Sequence, residues 1–208
     1  MIFELKAAND PKLQEMFESE KKRVEDFFGF SWNELPPNLI LLPNRASIDS
    51  LYGERTEPWV RGFFRDRNVY FLKKESYKKE CSQAYSEEEF RRGIRHDLAH
   101  VFTTVLSENN SIPIWLLEGI ACYVAEDIAH MRRPEKFSTF LKHFSKFDPE
   151  VYEESGFAVQ FLVEKYGKRK LLRLLKSLRG IGSKSEFRNV FKEVYGFLPD
   201  YKNFEVPR

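Results

Sequence analysis

The 208-residue chain is long enough for one generous domain, and its 42% hydrophobic and 15% aromatic content, with 20 phenylalanines, supplies a real core and excludes a disordered or fibrous chain. Its 34 basic and 32 acidic side chains leave a formal charge of +2, too small a surplus to point to nucleic acid as a partner. Cys81 and Cys122 show no disulfide or C-x-x-C spacing, Met1 to Ala8 lacks the long apolar core of a leader, and no stretch reaches the ~18 apolar residues of a membrane span. These features read as a cytoplasmic protein in no need of a membrane.

Taken in chain order, Asp10 followed by Pro11 is a helix start, an N-cap before a proline at the first helical position. Leu13, Met16, Phe17, Val24, Phe27 and Phe28 then recur at helical spacing up to Gly29. After Pro36 and Pro37 the short apolar run Leu39 to Leu42, stopped by Pro43, predicts a buried strand, and Asn44 predicts the cap of a short helix through Leu51. Two aromatic and β-branched runs, Trp59 to Phe64 and Asn68 to Leu72, flank the polar Arg65-Asp-Arg67 and predict a hairpin. Residues 73–85 are polar and of mixed charge and read as a connection. Ser86 and Glu89 have capping-box spacing, so a helix is predicted from near Glu87.

From there the pattern is wholly helical. Ile112 to Ala125 is apolar nearly all round and reads as a buried helix; Ser183 and Glu186 form another capping box; Gly167, Gly180 and Gly196 each close an amphipathic stretch. Strands first and helices later predict an α+β fold, with a small N-terminal sheet packed beside helices.

The chemistry gathers on the helix that starts at Glu87. His96 and His100 are four residues apart, so one helix face can offer two imidazoles to one ion, with Asp97 projecting beside them. Phe90, Ile94, Leu98, Val101 and Val105 form an apolar stripe, and the histidines fall on the opposite side near Gly93, Ala99, Thr103 and Thr104. Two histidines four apart also arise by chance on a solvated face, so the pair alone does not decide. Glu118 adds to it, as the one carboxylate inside the apolar 112–125 run, where an unpaired charge loses several kcal/mol or more of solvation. Either it pairs with an arginine such as Arg92 or Arg95, or it joins the two imidazoles on zinc and leaves the fourth position to water. Gly119 is either a tolerated helix glycine or the place where the histidine helix comes close.

The paired motif, His96-Asp-Leu-Ala-His100 followed after seventeen residues by Glu118 in Trp115-Leu-Leu-Glu-Gly-Ile-Ala-Cys-Tyr123, resembles the gluzincin metallopeptidases, in particular the peptidase MA-like domains. Their pattern is H-E-x-x-H followed by W-L-x-E-G-x-A-x-Y. The likeness extends weakly over Leu39 to Leu72 and the Ser155 to Gly167 helix. It implies a single zincin-like domain over 1–208, with a helix and sheet in 1–85 and a helical half in 86–208 that carries the metal site. It further implies one Zn2+ held by His96, His100 and Glu118, with Glu126 as a carboxylate supporting the ligands from behind. The strand Trp59 to Phe64 would be the edge that pairs with an extended peptide or protein substrate.

In that family's mechanism the glutamate of H-E-x-x-H takes a proton from the zinc-activated water and passes it to the leaving amine. Asp97 stands in its place, and its carboxylate ends one methylene short, about 1.5 Å, a displacement that can cost roughly a hundredfold in rate. Tyr152 is the candidate oxyanion donor by position, and its plainer reading is a tyrosine packed at a helix start.

The expected activity is peptide hydrolysis with Asp97 as general base. The alternative is a homologue that has lost catalysis and acts as a zinc-containing binding module, with the basic run Lys168 to Arg179 available to acidic partners, although such a run is usually a solvated helix face. A weaker alternative is a dinuclear centre, because Asp97-x-x-His100 and Asp127-x-x-His130 share a spacing used in helix bundles. Otherwise His130 and His143 read as ordinary surface or packing residues.

Overall fold

All three strands lie before residue 73, interleaved with helices, in the computed structural model, which describes residues 4, 6–32, 35–108 and 111–207. Eight α-helices and three strands are present among these residues, an α+β fold with a helical bulk, as the sequence predicts. The Met1 to Ala8 stretch read above for a leader lies partly outside the described residues. Two units divide the chain, residues 1–101 and 102–208, and the boundary falls inside a helix, α4 (Glu87–Ser107).

In the first unit, α1 (Pro11–Phe28) begins where Leu13 N donates to Asp10 Oδ1 at 3.1 Å and ends at Gly29, left-handed at φ 75°. Met16, Phe17, Val24 and Phe28 are buried as their spacing requires. The same face also buries Glu20, which the hydrophobic pattern does not reveal, and its carboxylate lies 3.1 Å from Nε of the equally buried Arg95 on α4. Arg91 adds a second contact at 3.3 Å. A buried carboxylate held by two guanidinium groups is tolerable where a lone one is not.

The sheet follows. Strand β1 (Asn38–Leu42) leads into α2 (Arg45–Tyr52), capped by Asn44 through Ser47 N at 2.9 Å. Strands β2 (Gly62–Arg65) and β3 (Asn68–Leu72) make the predicted hairpin, with Asp66 in the left-handed region at its turn. The order is β1-β3-β2, with β1 parallel and β2 antiparallel to the central strand, so β2 is an edge. The strand starts at Gly62 rather than Trp59, because residues 57–60 are gathered onto Arg45 instead. That guanidinium donates to the carbonyls of Glu57 (2.9 Å), Pro58 (3.1 Å) and Val60 (2.8 Å).

Residues 73–85 differ from the expected connection, since they contain α3 (Lys74–Glu80). This helix is too short to show an amphipathic period. Tyr77 anchors it with no exposure at all, while Glu75 in its first turn and Lys78 and Lys79 in its last complement the helix dipole. Nearby, burial pushes the Cys81 thiol above its ordinary pKa in spite of Arg45 Nη2 at 3.4 Å from the sulfur, which favours the protonated thiol.

In the second unit, α5 (Ile114–Val124), α6 (Val151–Tyr166), α7 (Lys168–Lys176) and α8 (Lys184–Tyr195) are packed around aromatic rings. Phe204, 6% exposed, stands at their centre, its ring 5.0 Å from Phe140, 5.4 Å from Phe161, 6.0 Å from Phe197 and 6.3 Å from Trp115 between centroids. The Ser183 and Glu186 capping box forms in both directions. The helical reading fails between 125 and 150, where two 3-10 turns, Asp127–His130 and Phe140–Lys142, replace an α-helix. Among the described residues no helix is long and apolar enough to cross a membrane.

Candidate active site

The histidine helix is laid on the sheet by a glycine. A Cβ on Gly93 would come within 2.6 Å of the Phe71 ring and 2.7 Å of Arg61 Nε, so α4 reaches β3 only with no side chain there. Phe71 in turn fills the space a side chain at Gly62 would take. This contact brings the far end of the same face over β2, where the His100 ring stacks on Phe64 at 4.7 Å with 27° between planes. His96 stands one turn earlier, its ring 4.7 Å from that of His100 and close to perpendicular.

Burial excludes the solvated-face reading of the pair. His100 is 3% exposed, Asp97 is 8% exposed and His96 is half-buried. Phe90, Ile94, Leu98 and Val101 of the predicted stripe are buried too, whereas Val105 is half-buried. The helix is therefore enclosed on both faces around its histidines, where a surface helix would leave one face wet.

Glu118 lies in α5, and eight of that helix's eleven residues are buried, Glu118 among them. The helix has no side-chain cap: Pro113 precedes it, and its first amides donate instead to the carbonyls of Phe144 (from Ile114, 3.0 Å) and His143 (from Trp115, 2.9 Å). The position of Glu118 thus depends on the 140–144 segment. Of the arginines on the histidine helix, Arg95 contacts Glu20 and Arg92 contacts Glu89 within the first unit.

Two donor sets among the described residues have a composition that a divalent ion takes: His96, His100 and Glu118, and His96, Cys122 and Asp127. Two imidazoles and one carboxylate are the donor set of catalytic zinc, which keeps a fourth position open. The second set escaped the sequence reading because Cys122 looks like an ordinary apolar helix residue. The family model of the peptidase MA superfamily matches residues 84–204, a span that holds both the histidine helix and Glu118. The chain belongs to the peptidase MA superfamily. No curated protein and no solved structure matches it.

In this peptidase MA chain Gly119 serves a neighbour other than the one expected. A Cβ there would stand 2.5 Å from the Ser155 carbonyl oxygen and 2.8 Å from Val159 Cγ2, so the helix that comes close is α6. Gly156 reciprocates, with Cys122 Cβ at 3.0 Å and Ile128 Cγ2 at 2.5 Å from its would-be Cβ. Because backbone blocks Gly119, an added methyl forces the helices apart. Gly119→Ala is expected to cost about 1 to 3 kcal/mol, a drop of several degrees in Tm by calorimetry. An unchanged Tm would show that the helices part freely.

A further acid of the matched segment, Glu154 in the first turn of α6, was not singled out by sequence. Its carboxylate accepts from the amides of Ser138 (2.9 Å), Thr139 (2.8 Å) and Phe140 (3.1 Å) and from the Ser138 hydroxyl (3.1 Å). Burial alone would raise its pKa, but these donors outweigh burial and hold the carboxyl below its usual value. Glu154 therefore fixes the start of the segment whose carbonyls cap α5.

The remaining predicted residues are placed as follows. Tyr152 falls inside the first turn of α6, half-buried, with its ring 5.9 Å from Phe147. Glu126 is exposed and left-handed at φ 67°, and the buried acid after α5 is its neighbour Asp127, 7% exposed. His130 is exposed at the end of a 3-10 turn, so Asp127 and His130 lack the α-helical spacing that a dinuclear bundle site requires. Within the basic 168–179 run, α7 buries Leu171, Leu174 and Leu175, which makes its lysines and arginines the outer face of a packed helix.

Proposed function

We propose that the chain is a zinc-dependent peptidase of the gluzincin type, a single zincin-like domain that hydrolyses peptide bonds in peptide or protein substrates. The observation that carries this reading is the burial of Asp97 and His100, with His96 half-buried beside them, on one helix and of Glu118 on another, all within the segment that matches the superfamily. His96, His100 and Glu118 hold the ion. When bound, zinc polarises a carbonyl and lowers the pKa of water toward about 7.

Asp97 accepts the proton of the attacking water and hands it to the leaving amine. Strand β2, an edge whose Phe64 lies on His100, pairs with the substrate backbone and aligns it along the histidines. Tyr152 donates to the oxyanion. Asp127, being buried, suits the supporting role better than Glu126. The cysteine pattern supports a cytoplasmic location.

Metal content tests the site apart from turnover. Protein purified without added metal is expected to carry about one zinc per chain by elemental analysis, His96→Ala to carry none, and peptide cleavage to stop with a chelator. Zinc retained by His96→Ala, or absent from both, overturns the ligand assignment. A second reading rests on Asp97 itself: with aspartate in the glutamate position, the chain is a zinc-containing binding module without catalysis.

A further inference from the structure

A cavity of about 340 Å3 opens in the second unit, at the small end of the range that binds single small molecules. Its walls include the rings of Trp115, Phe144, Phe187 and Tyr201, and its rim carries Lys142 and Lys184. Rings give such a site flat apolar faces, and cations fix an anionic end.

The charge is not balanced within the cavity. Arg188 is neutralised by Asp200, Nη1 to Oδ1 at 3.1 Å, but neither Lys142 nor Lys184 has an ion-pair partner among the described residues. Lys184 is also placed against its own helix. It is the first residue of α8, where the positive end of the dipole disfavours a cation by a few tenths of a kcal/mol or more. Its ammonium leans over the Phe144 ring at 5.9 Å, back toward the cavity. The Phe144 ring is the one partner of this ammonium among the described residues, and an anion in the cavity would add a counter-charge to it.

We propose that this cavity binds a carboxylate attached to an aromatic group, the ring set against Phe144 and Tyr201 over a floor made by the buried Trp115 and Phe187, and the carboxylate between Lys142 and Lys184. The chemistry is shared by free aromatic acids and by peptide chains that end in an aromatic residue. The site is separate from the proposed zinc ligands and stands whether or not the chain is a peptidase.

Isothermal titration tests it with N-acetyl-phenylalanine and its amide, against the unaltered chain and the Lys142→Ala/Lys184→Ala variant, with and without chelator. The acid is expected to bind saturably, the amide about tenfold more weakly, and the variant to bind acid and amide alike. Chelator should leave all of these values unchanged, and amide-resonance shifts should centre on Trp115, Lys142 and Lys184. Equal binding of acid and amide by the unaltered chain, loss of binding with chelator, or no saturable heat overturns the proposal. The tripeptide Gly-Gly-Phe separates the two sources: binding as tight as the free acid assigns chain ends, and binding of N-acetyl-phenylalanine alone assigns free acids.

Discussion

Replacing Asp97 by glutamate is expected to raise kcat/KM on an unstructured peptide by about a hundredfold in zinc-loaded protein, and replacing it by asparagine to abolish turnover. Asp97 follows His96 on α4 and is 8% exposed, so its carboxylate is held by an enclosed backbone that cannot easily advance to recover the missing methylene. Glutamate restores about 1.5 Å of reach. Zinc content read on the same samples separates the base from the ligands, because Asp97→Asn leaves both imidazoles and Glu118 in place. Should zinc be bound while neither the unaltered chain nor Asp97→Glu cleaves any member of a broad peptide library, catalysis is excluded and the binding-module reading stands.

Glu154→Ala is expected to cost about 2 to 4 kcal/mol, measured as a shift in the urea midpoint at constant m-value. The substitution removes one acceptor from three amides and a hydroxyl; the buried Phe140 amide is stranded at a cost of about 1 to 3 kcal/mol and the half-buried Thr139 amide adds to it, while the exposed Ser138 turns to water. The pH dependence has a definite sign. Since the folded carboxyl lies below its ordinary value, near 4.3, its stabilisation is present above that pH and is lost as pH falls through the folded pKa. Glu154→Gln should flatten this acid limb. A midpoint change of less than about 1 kcal/mol, or an unaltered acid limb in Glu154→Gln, would remove Glu154 from its place as anchor of the α5 cap.

What could be read from residues alone were features written in short, contiguous spans. The caps at Asp10, Asn44 and Ser183 lie within three residues of the amides they serve, and each forms. Two histidines at helical spacing and a glutamate in an apolar run are likewise local patterns, but the spacing alone left the pair open to a solvated face, and only the packing buries His100. Glu154 was invisible because its partners are backbone amides fourteen to sixteen residues away, and an amide has no letter in the sequence. The same blindness moved Gly119 onto the wrong neighbour: a glycine announces that something approaches, and only the packing names α6. Tyr77 and α3 illustrate tertiary burial stabilising a helix too short for periodicity to mark it.

The ring of Phe204 sets an order of events in synthesis. It is translated after every ring it touches, from Trp115 to Phe197, so a nascent chain can form α5 through α8 and still leave their inner faces around a hole. Docking of the segment around Phe204 fills that hole, and until it docks the helices expose an aromatic surface that chaperones and aggregation compete for.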